Sequence, residues 1–367
     1  MSAERADRLA SVVAEEGLDA LIVGDLVNPG DSIGPGAIAN LRWLTGFTGT
    51  SGLAVVGPEL RSFLTDFRYV ERAEREVGGA FERRIAEQRL LTELVELLSG
   101  RVGFDDGHTS VANLRKLEEG VSDDVELVAA PGLVERFRRH KDPEEQRAIV
   151  EAAKLADEVY EWVLERGLKG RSEREVARAA EARIRELGSE PSFPAIVAAG
   201  PNGALPHAEP SEREIERGDL VVFDMGAAVD GYCSDCTRTF AVGRKPDADA
   251  AEVYELVRDA QAKALGGVRA GVSGPDADSV ARDVIVAAGH ADHFGHGLGH
   301  GVGLEVHEAP RLGQRSEDEL VEGDVVTVEP GVYVPGRFGV RIEDLVVVGA
   351  DGHRNLSSLP KELRVVD

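Results

Sequence analysis

An internal duplication constrains this chain more than any other feature. ERGDLVVFDMG (216–226) aligns without gaps to VEGDVVTVEPG (321–331). Gly218 and Asp219 match Gly323 and Asp324, four strand residues follow in each copy, and Asp224 then matches Glu329. The next extended segment of each copy carries another acid, Asp235 in GYCSDCTRTFAVG and Glu343 in GVRIEDLVVVG. Two copies at so long a period do not make a solenoid. Chance likeness of two Gly-Asp turns entering strands is the plain alternative. A duplicated αβ half, folded face to face about a pseudo-twofold axis, accounts for the second pair of acids as well. Four carboxylates then meet, and in a low-dielectric site they repel one another until part of the cluster protonates. Two divalent cations neutralise them more naturally, with carboxylates bridging the metals and a terminal imidazole completing one.

The stretch HFGHGLGHGVGLEVHE (293–308) offers that imidazole. His300 is the expected ligand, with small neighbours that let its backbone approach the acids closely. Rival readings fit less well. A G-x-G-x-x-G loop that cradles phosphate needs a strand-turn-helix frame, and the nearby carboxylates repel phosphate. His307-Glu308 lacks the second histidine of a zincin helix. A plain flexible His/Gly loop leaves the acid pattern unexplained.

At 367 residues, 42% of them apolar and 30% charged, the chain suits two soluble domains. No apolar run reaches the ~18 residues of a membrane span, and the polar start MSAERADRLASVVAEEG lacks a signal-peptide core. A cytoplasmic protein without membrane contact is expected. The formal charge of −25 repels nucleic acid. Few aromatics, abundant acids and basic residues that are mostly Arg suggest adaptation to concentrated salt, where screening removes self-repulsion; an ordinary acidic enzyme is the alternative. Both cysteines lie in GYCSDCTRTF. A redox C-x-x-C normally opens a helix, whereas this segment reads as one strand with Cys233 and Cys236 packed on opposite faces.

Along residues 1–138, helix and strand patterns alternate as in a small α/β domain. ERADRLASVVAEEG reads as a helix ended by Gly17, DALIVG as a buried strand, LAVVG and RSFLTD as a hairpin, and FRYVERAEREV as a helix. Residues 139–367 read as an α+β domain. It opens on a helix capped by Asp142 with Pro143 first, followed by one with the capping box Ser172/Glu175.

The ordered set Asp224, Asp235, His300, Glu329 and Glu343 resembles the ligands of the metallopeptidases with the pita-bread fold (family M24), a group that includes methionine aminopeptidase, aminopeptidase P and prolidase. NLRWLTGFTGTSGLAVV and FLTDFRYVERA resemble the creatinase-like N-terminal domain of the prolidase and aminopeptidase P branches, which methionine aminopeptidases lack. The resemblance implies an α/β creatinase-like domain over 1–138 and a pita-bread catalytic domain over 139–367 with pseudo-twofold αβ repeats. It also implies a two-metal exopeptidase that cleaves before proline. Asp224 would chelate one ion, His300 and Glu329 the other, and Asp235 and Glu343 would bridge both. Four carboxylates and one imidazole favour Mn²⁺, with Co²⁺ or Fe²⁺ able to serve.

The same resemblance gives His207, in GPNGALPHA, a hydrogen bond to substrate, and gives His307 stabilisation of the tetrahedral oxyanion. His296 becomes a supporting or substrate-binding histidine. Arg341, two before Glu343 on the same strand face, would orient that acid or the histidines. His108, His140, His290, His293 and His353 read as surface or structural. Arg311, four past His307, resembles the arginine that binds a terminal prolyl carboxylate in microbial prolidases; a surface arginine is the alternative, and Arg315 is a second candidate. An Xaa-Pro dipeptidase is therefore expected, with aminopeptidase P the alternative. Creatinase does not use the metal set, and a metal-free binding module on this fold would have lost ligands. A homodimer is implied, its N-terminal domain shaping the partner's active-site mouth.

Overall fold

The computed structural model describes residues 2–24, 39–87 and 89–367. The chain divides into two compact units, Met1–Arg138 and Arg139–Asp367.

The first unit is built on a six-stranded sheet in the spatial order Glu82–Ala86, Arg61–Asp66, Gly52–Val56, Ala20–Val23, Gly100–Phe104, Val125–Ala129. Ala20–Val23 is buried at every position, as a central strand covered on both faces must be. The hairpin forms in the register Gly52↔Thr65. Helix Ser2–Glu15 stops before Gly17, whose φ of +69° closes it in the left-handed conformation that glycine adopts without strain. The segment FRYVERAEREV begins as a 3₁₀ turn, Phe67–Tyr69, because the Asp66 side chain accepts the Arg68 N–H; the α-helix runs Val70–Glu76. His108, read from sequence as lacking company, packs between two acids: its Nδ1 lies 3.1 Å from Asp105 and 3.7 Å from Glu135.

The second unit contains two larger sheets with helices packed on them, besides a three-stranded and a two-stranded one. One sheet runs Val365–Val366, Cys236–Val242, Leu220–Met225, Ile196–Ala199; the other runs Glu308–Leu312, Gly299–Gly301, Val325–Val328, Asp344–Val348, His353–Asn355. Each has its own core. Helices Pro143–Leu164 and Glu173–Glu186 bury Val159, Tyr160 and Ile184 with Val221 and Phe223. Helices Ala248–Gly267 and Gly274–Ala287 bury Val257, Ala281 and Ile285 with Val326 and Val346. Each such fully buried Val or Ile contributes about 1.5–3 kcal/mol. The duplication is visible in a small detail. Ser172 and Ser273, the N-caps of the second helix in each half, form isolated bridges to Glu214 and Glu319.

The halves differ where the acids sit. Leu220–Met225 carries Asp224 within the strand, whereas Val325–Val328 ends before Glu329; Pro330, which has no N–H, cannot extend the ladder. The segment around the cysteines is also broken, into Tyr232–Cys233 and Cys236–Val242. Cys233 and Cys236 therefore do not share one strand. Both are buried and in no disulfide, Cys233 beside Ile149 and Leu345, Cys236 in the core of the first half.

Candidate metal centre

The four acids singled out by the duplication and His300 converge within the second unit. Asp224 lies near the end of its strand and Asp235 in the break after Cys233. Glu329 follows Val325–Val328, Glu343 lies between Phe338–Arg341 and Asp344–Val348, and His300 occupies the middle of Gly299–Gly301. Oxygens of Asp224, Asp235 and Glu343 lie within 4.8 Å of one another, and so do ligand atoms of His300, Glu329 and Glu343. Glu343 belongs to both groups. Asp235 also joins His300 and His307 in a third.

Each of three acids has one oxygen that is buried without a hydrogen-bond partner: Asp224 Oδ1, Asp235 Oδ1 and Glu343 Oε1. Orphaned buried oxygens are costly, and three in one cluster require an explanation. Two of these side chains are anchored through their other oxygen. Arg341 Nη2 donates to Asp224 Oδ2 at 2.7 Å, and Thr237 Oγ1 donates to Glu343 Oε2 at 2.7 Å. Burial, reinforced by the neighbouring carboxylates, pushes Asp235 and Glu343 well above the ordinary carboxylate range. Burial raises Asp224 too, against the pull of Arg341. Glu329 is the exception: burial opposes its ionisation, but His300, then His296 and Arg341, hold it at about 2.

His300 Nδ1 faces the Gly301 carbonyl at 3.1 Å, an atom that can only accept. Nδ1 therefore carries the proton, and Nε2 points at Glu329 Oε1, 3.2 Å away, and at Asp235 Oδ2, 3.7 Å away. A lone pair facing two carboxylates needs a positive centre between them, a second proton or a cation. The donor set thus fits divalent metal: orphaned oxygens, an imidazole of fixed tautomer, and excess negative charge.

The surrounding glycines act differently from the expectation that they free the His300 backbone to approach the acids. A Cβ at Gly299 would lie 2.1 Å from the Thr327 carbonyl oxygen, and one at Gly301 the same distance from that of Ala309. They are needed for close contact with the backbones of the flanking segments.

Arg341 is also placed differently. Its strand ends at Arg341, so it does not share a strand face with Glu343. Its guanidinium instead links the halves, donating to Asp224, to Thr237 Oγ1 at 3.0 Å and to Tyr333 Oη at 3.0 Å. Tyr333 in turn lies 2.9 Å from His296 Nε2. His296 Nδ1 faces the Gly297 carbonyl at 2.8 Å, so Nε2 accepts from the tyrosine and both ring nitrogens are engaged. Thr237, Thr327 and Tyr333 had no sequence signal of their own. Thr327 was the most accessible of the three, two residues before the aligned acid Glu329; its hydroxyl donates to that acid at 3.1 Å.

The four acids, His300, His296 and Arg341 line a cleft of about 1370 Å³ whose wall also includes His207, His307, Arg311 and Arg315. His207 and His307 are exposed to it. His307 stacks edge-on to His300 with ring centroids 4.3 Å apart. Partial desolvation at the cleft wall, with His300 and Arg311 nearby, pushes its imidazole down to about 4, so it is neutral near pH 7. Arg311 pairs with His300 in the strand register and receives no carboxylate at its guanidinium among the described residues; its backbone N–H donates to Asp318.

Residues 147–350 match metallopeptidase family M24, and residues 5–140 match the creatinase/prolidase N-terminal domain. The chain is 35% identical to an Xaa-Pro dipeptidase of Pyrococcus furiosus over 98% of its own length and 99% of that protein. Among solved structures, an Xaa-Pro dipeptidase from Bacillus anthracis superposes with a TM-score of 0.92 at 37% identity, covering 100% of both chains. An X-Pro aminopeptidase from Thermotoga maritima gives 0.88 at 33% identity, covering 99% of this chain and 100% of that one. The acid and histidine cluster, the paired sheets and these matches agree: the chain belongs to metallopeptidase family M24 and carries a creatinase/prolidase-type N-terminal domain.

Proposed function

We propose that this protein is a two-metal Xaa-Pro dipeptidase. The observation that carries the reading is the set of orphaned carboxylate oxygens converging from both halves beside the Nε2 of His300. Asp224 would hold one ion, His300 and Glu329 the other, and Asp235 and Glu343 would lie between them. The hard, oxygen-rich donor set suits Mn²⁺, with Co²⁺ or Fe²⁺ alternatives. Bound divalent ions supply Lewis acidity and bring a water's pKa down toward neutrality, which hydrolysis of a peptide bond requires.

The chain's own residues do the rest. Arg341 holds Asp224 and, through Thr237 and Tyr333, keeps Glu343 and His296 in place. Neutral His307 offers an N–H to the carbonyl oxygen as charge develops on it, and His207 hydrogen-bonds the substrate from the opposite loop. Proline has no N–H and a fixed φ, so its bond suits a cleft that grips the peptide's ends rather than an extended backbone.

Arg311 distinguishes a dipeptidase from an aminopeptidase, because only a dipeptidase needs a partner for the terminal carboxylate. A guanidinium fork on the cleft wall supplies one. Arg311→Ala should lower activity on Xaa-Pro dipeptides about ten- to a hundredfold, the loss of a charged hydrogen bond, and spare Xaa-Pro-Yaa tripeptides. Equal losses on both substrates would favour the aminopeptidase reading.

The acid excess carries a proposal of its own, adaptation to high salt. With a net charge of −25, self-repulsion acts across the molecule at low ionic strength and is screened at high. The melting temperature should therefore rise between about 0.05 M and about 3 M KCl. A flat profile would reject the idea.

A further inference from the structure

We propose that Glu173 is the positioning residue for His207: its buried carboxylate ties together both ends of the loop that carries that histidine. The inference rests on the peptidase reading above for what His207 does, and on geometry alone for how it is held.

Glu173 opens helix Glu173–Glu186 and is 0% exposed. No ion pair neutralises it among the described residues. Its oxygens are satisfied by donors from one loop. Oε1 accepts from the Ala199 N–H at 2.7 Å and from Asn202 Nδ2 at 3.0 Å. Oε2 accepts from Asn202 Nδ2 at 3.0 Å, the Ser211 N–H at 3.0 Å and the Ser211 hydroxyl at 2.6 Å. Both ends of the segment 199–211 are thereby fastened to one carboxylate. Adjoining backbone bonds, Glu173 N–H to Arg213 O and Arg174 N–H to Ser211 O, secure the far end.

His207 lies between these fastenings. Its ring makes no hydrogen bond among the described residues and is exposed to the cleft, so only the course of its backbone fixes it. Two turns bracket it, Leu205 N–H to Asn202 O and Ala208 N–H to Leu205 O, and Arg341 Nη1 donates to the Pro206 carbonyl at 3.2 Å. The loop also has one tight contact: a Cβ at Gly339 would lie 1.8 Å from the Gly203 oxygen. Arg341 thus places the middle of the loop relative to the acids, and Glu173 places its ends. Alanine at 173 would leave four loop donors without their acceptor and the histidine free to drift.

The test compares Glu173→Ala, Glu173→Gln and Glu173→Asp with His207→Ala and the double variants, all as full-length metal-loaded protein. Misplacing a reacting group by about 1 Å can cost about 10²-fold, and a loss of that order in kcat/KM is expected for Glu173→Ala with metal content unchanged. In a His207→Ala background the same change should cost less than about threefold, because the two residues act as one unit. Glu173→Gln keeps an acceptor for Ala199 and Asn202 and should recover part of the rate; Glu173→Asp, too short to reach both ends, should not. Amide hydrogen exchange over 199–211 should rise in Glu173→Ala and Glu173→Asp. Equal losses in both backgrounds, or unchanged exchange over 199–211, would overturn the proposal. If Glu173→Ala does not fold, Glu173→Gln serves in the same cycle. Hydrogen exchange needs no substrate, so wild-type protein that cleaves no Xaa-Pro peptide would overturn the activity reading while the exchange data still judge the clamp.

Discussion

Glu343→Gln is expected to abolish peptide hydrolysis and to leave fewer than two metal ions per chain. Its carboxylate belongs to the group with Asp224 and Asp235 and to the group with His300 and Glu329, so its loss removes a donor from each. Changes to residues that merely support a metal ligand cost roughly 10–100-fold in affinity or activity; loss of a shared ligand should exceed the top of that range. The substitution also has a signature that misfolding cannot imitate. Without metal, burial and neighbouring acids raise the folded-state pKa of Glu343 well above its ordinary value. A group raised in this way binds its proton more tightly when folded, so it penalises the fold increasingly as pH climbs above the unfolded value near 4.5. Glutamine keeps an acceptor for Thr237 and removes the charge. In chelator at pH 7 the variant should therefore melt no lower than wild type, while elemental analysis shows the missing metal. A variant that keeps both ions and full turnover would refute the ligand assignment.

His307→Ala should lower kcat by about 10²–10³, the usual cost of an oxyanion donor, with both metals retained. The geometry makes this a demanding test, because Asp235, His300 and His307 also form a group compact enough to hold an ion. Exposure separates His307 from the ligands; its protonation state does not, since a ligating imidazole is neutral too. It is exposed to the cleft where His300 and three of the four acids are buried, and its imidazole, pushed down to about 4, is neutral. A neutral ring can donate one N–H to a developing oxyanion throughout the range about pH 5–8, so His307 should contribute no titration there. Loss of a metal ion in the folded variant would reassign His307 to the ligand shell.

Sequence and structure part company in an ordered way. The acids and His300 were legible because two strands with the same Gly-Asp entry and the same acid position can hardly serve unrelated purposes. The alternation of helix and strand over the first unit was legible from periodicity and from glycine and proline punctuation. What escaped depends on tertiary approach. Tyr333 looks like any strand tyrosine until Arg341 and His296 are brought to its hydroxyl. Thr237 and Thr327 look like β-branched strand formers until each faces a carboxylate. Glu173 reads as the acidic first residue of a capped helix, and the loop it fastens begins 26 residues later. The glycines around His300 read in sequence as letting its backbone approach the acids, whereas the close approach they permit is to neighbouring backbones, which leave no space for a Cβ. His108 was passed over for a similar reason: its partners Asp105 and Glu135 meet it only through the fold.

The most direct test of a two-metal Xaa-Pro dipeptidase is the hydrolysis of an Xaa-Pro dipeptide beside the matching Xaa-Pro-Yaa tripeptide. Protein reconstituted with Mn²⁺ is assayed in high salt, with and without chelator. Cleavage of the dipeptide in preference to the tripeptide, lost with chelator and restored by metal, is the predicted result. Hydrolysis that survives complete metal removal, or a preference for the tripeptide, would contradict it.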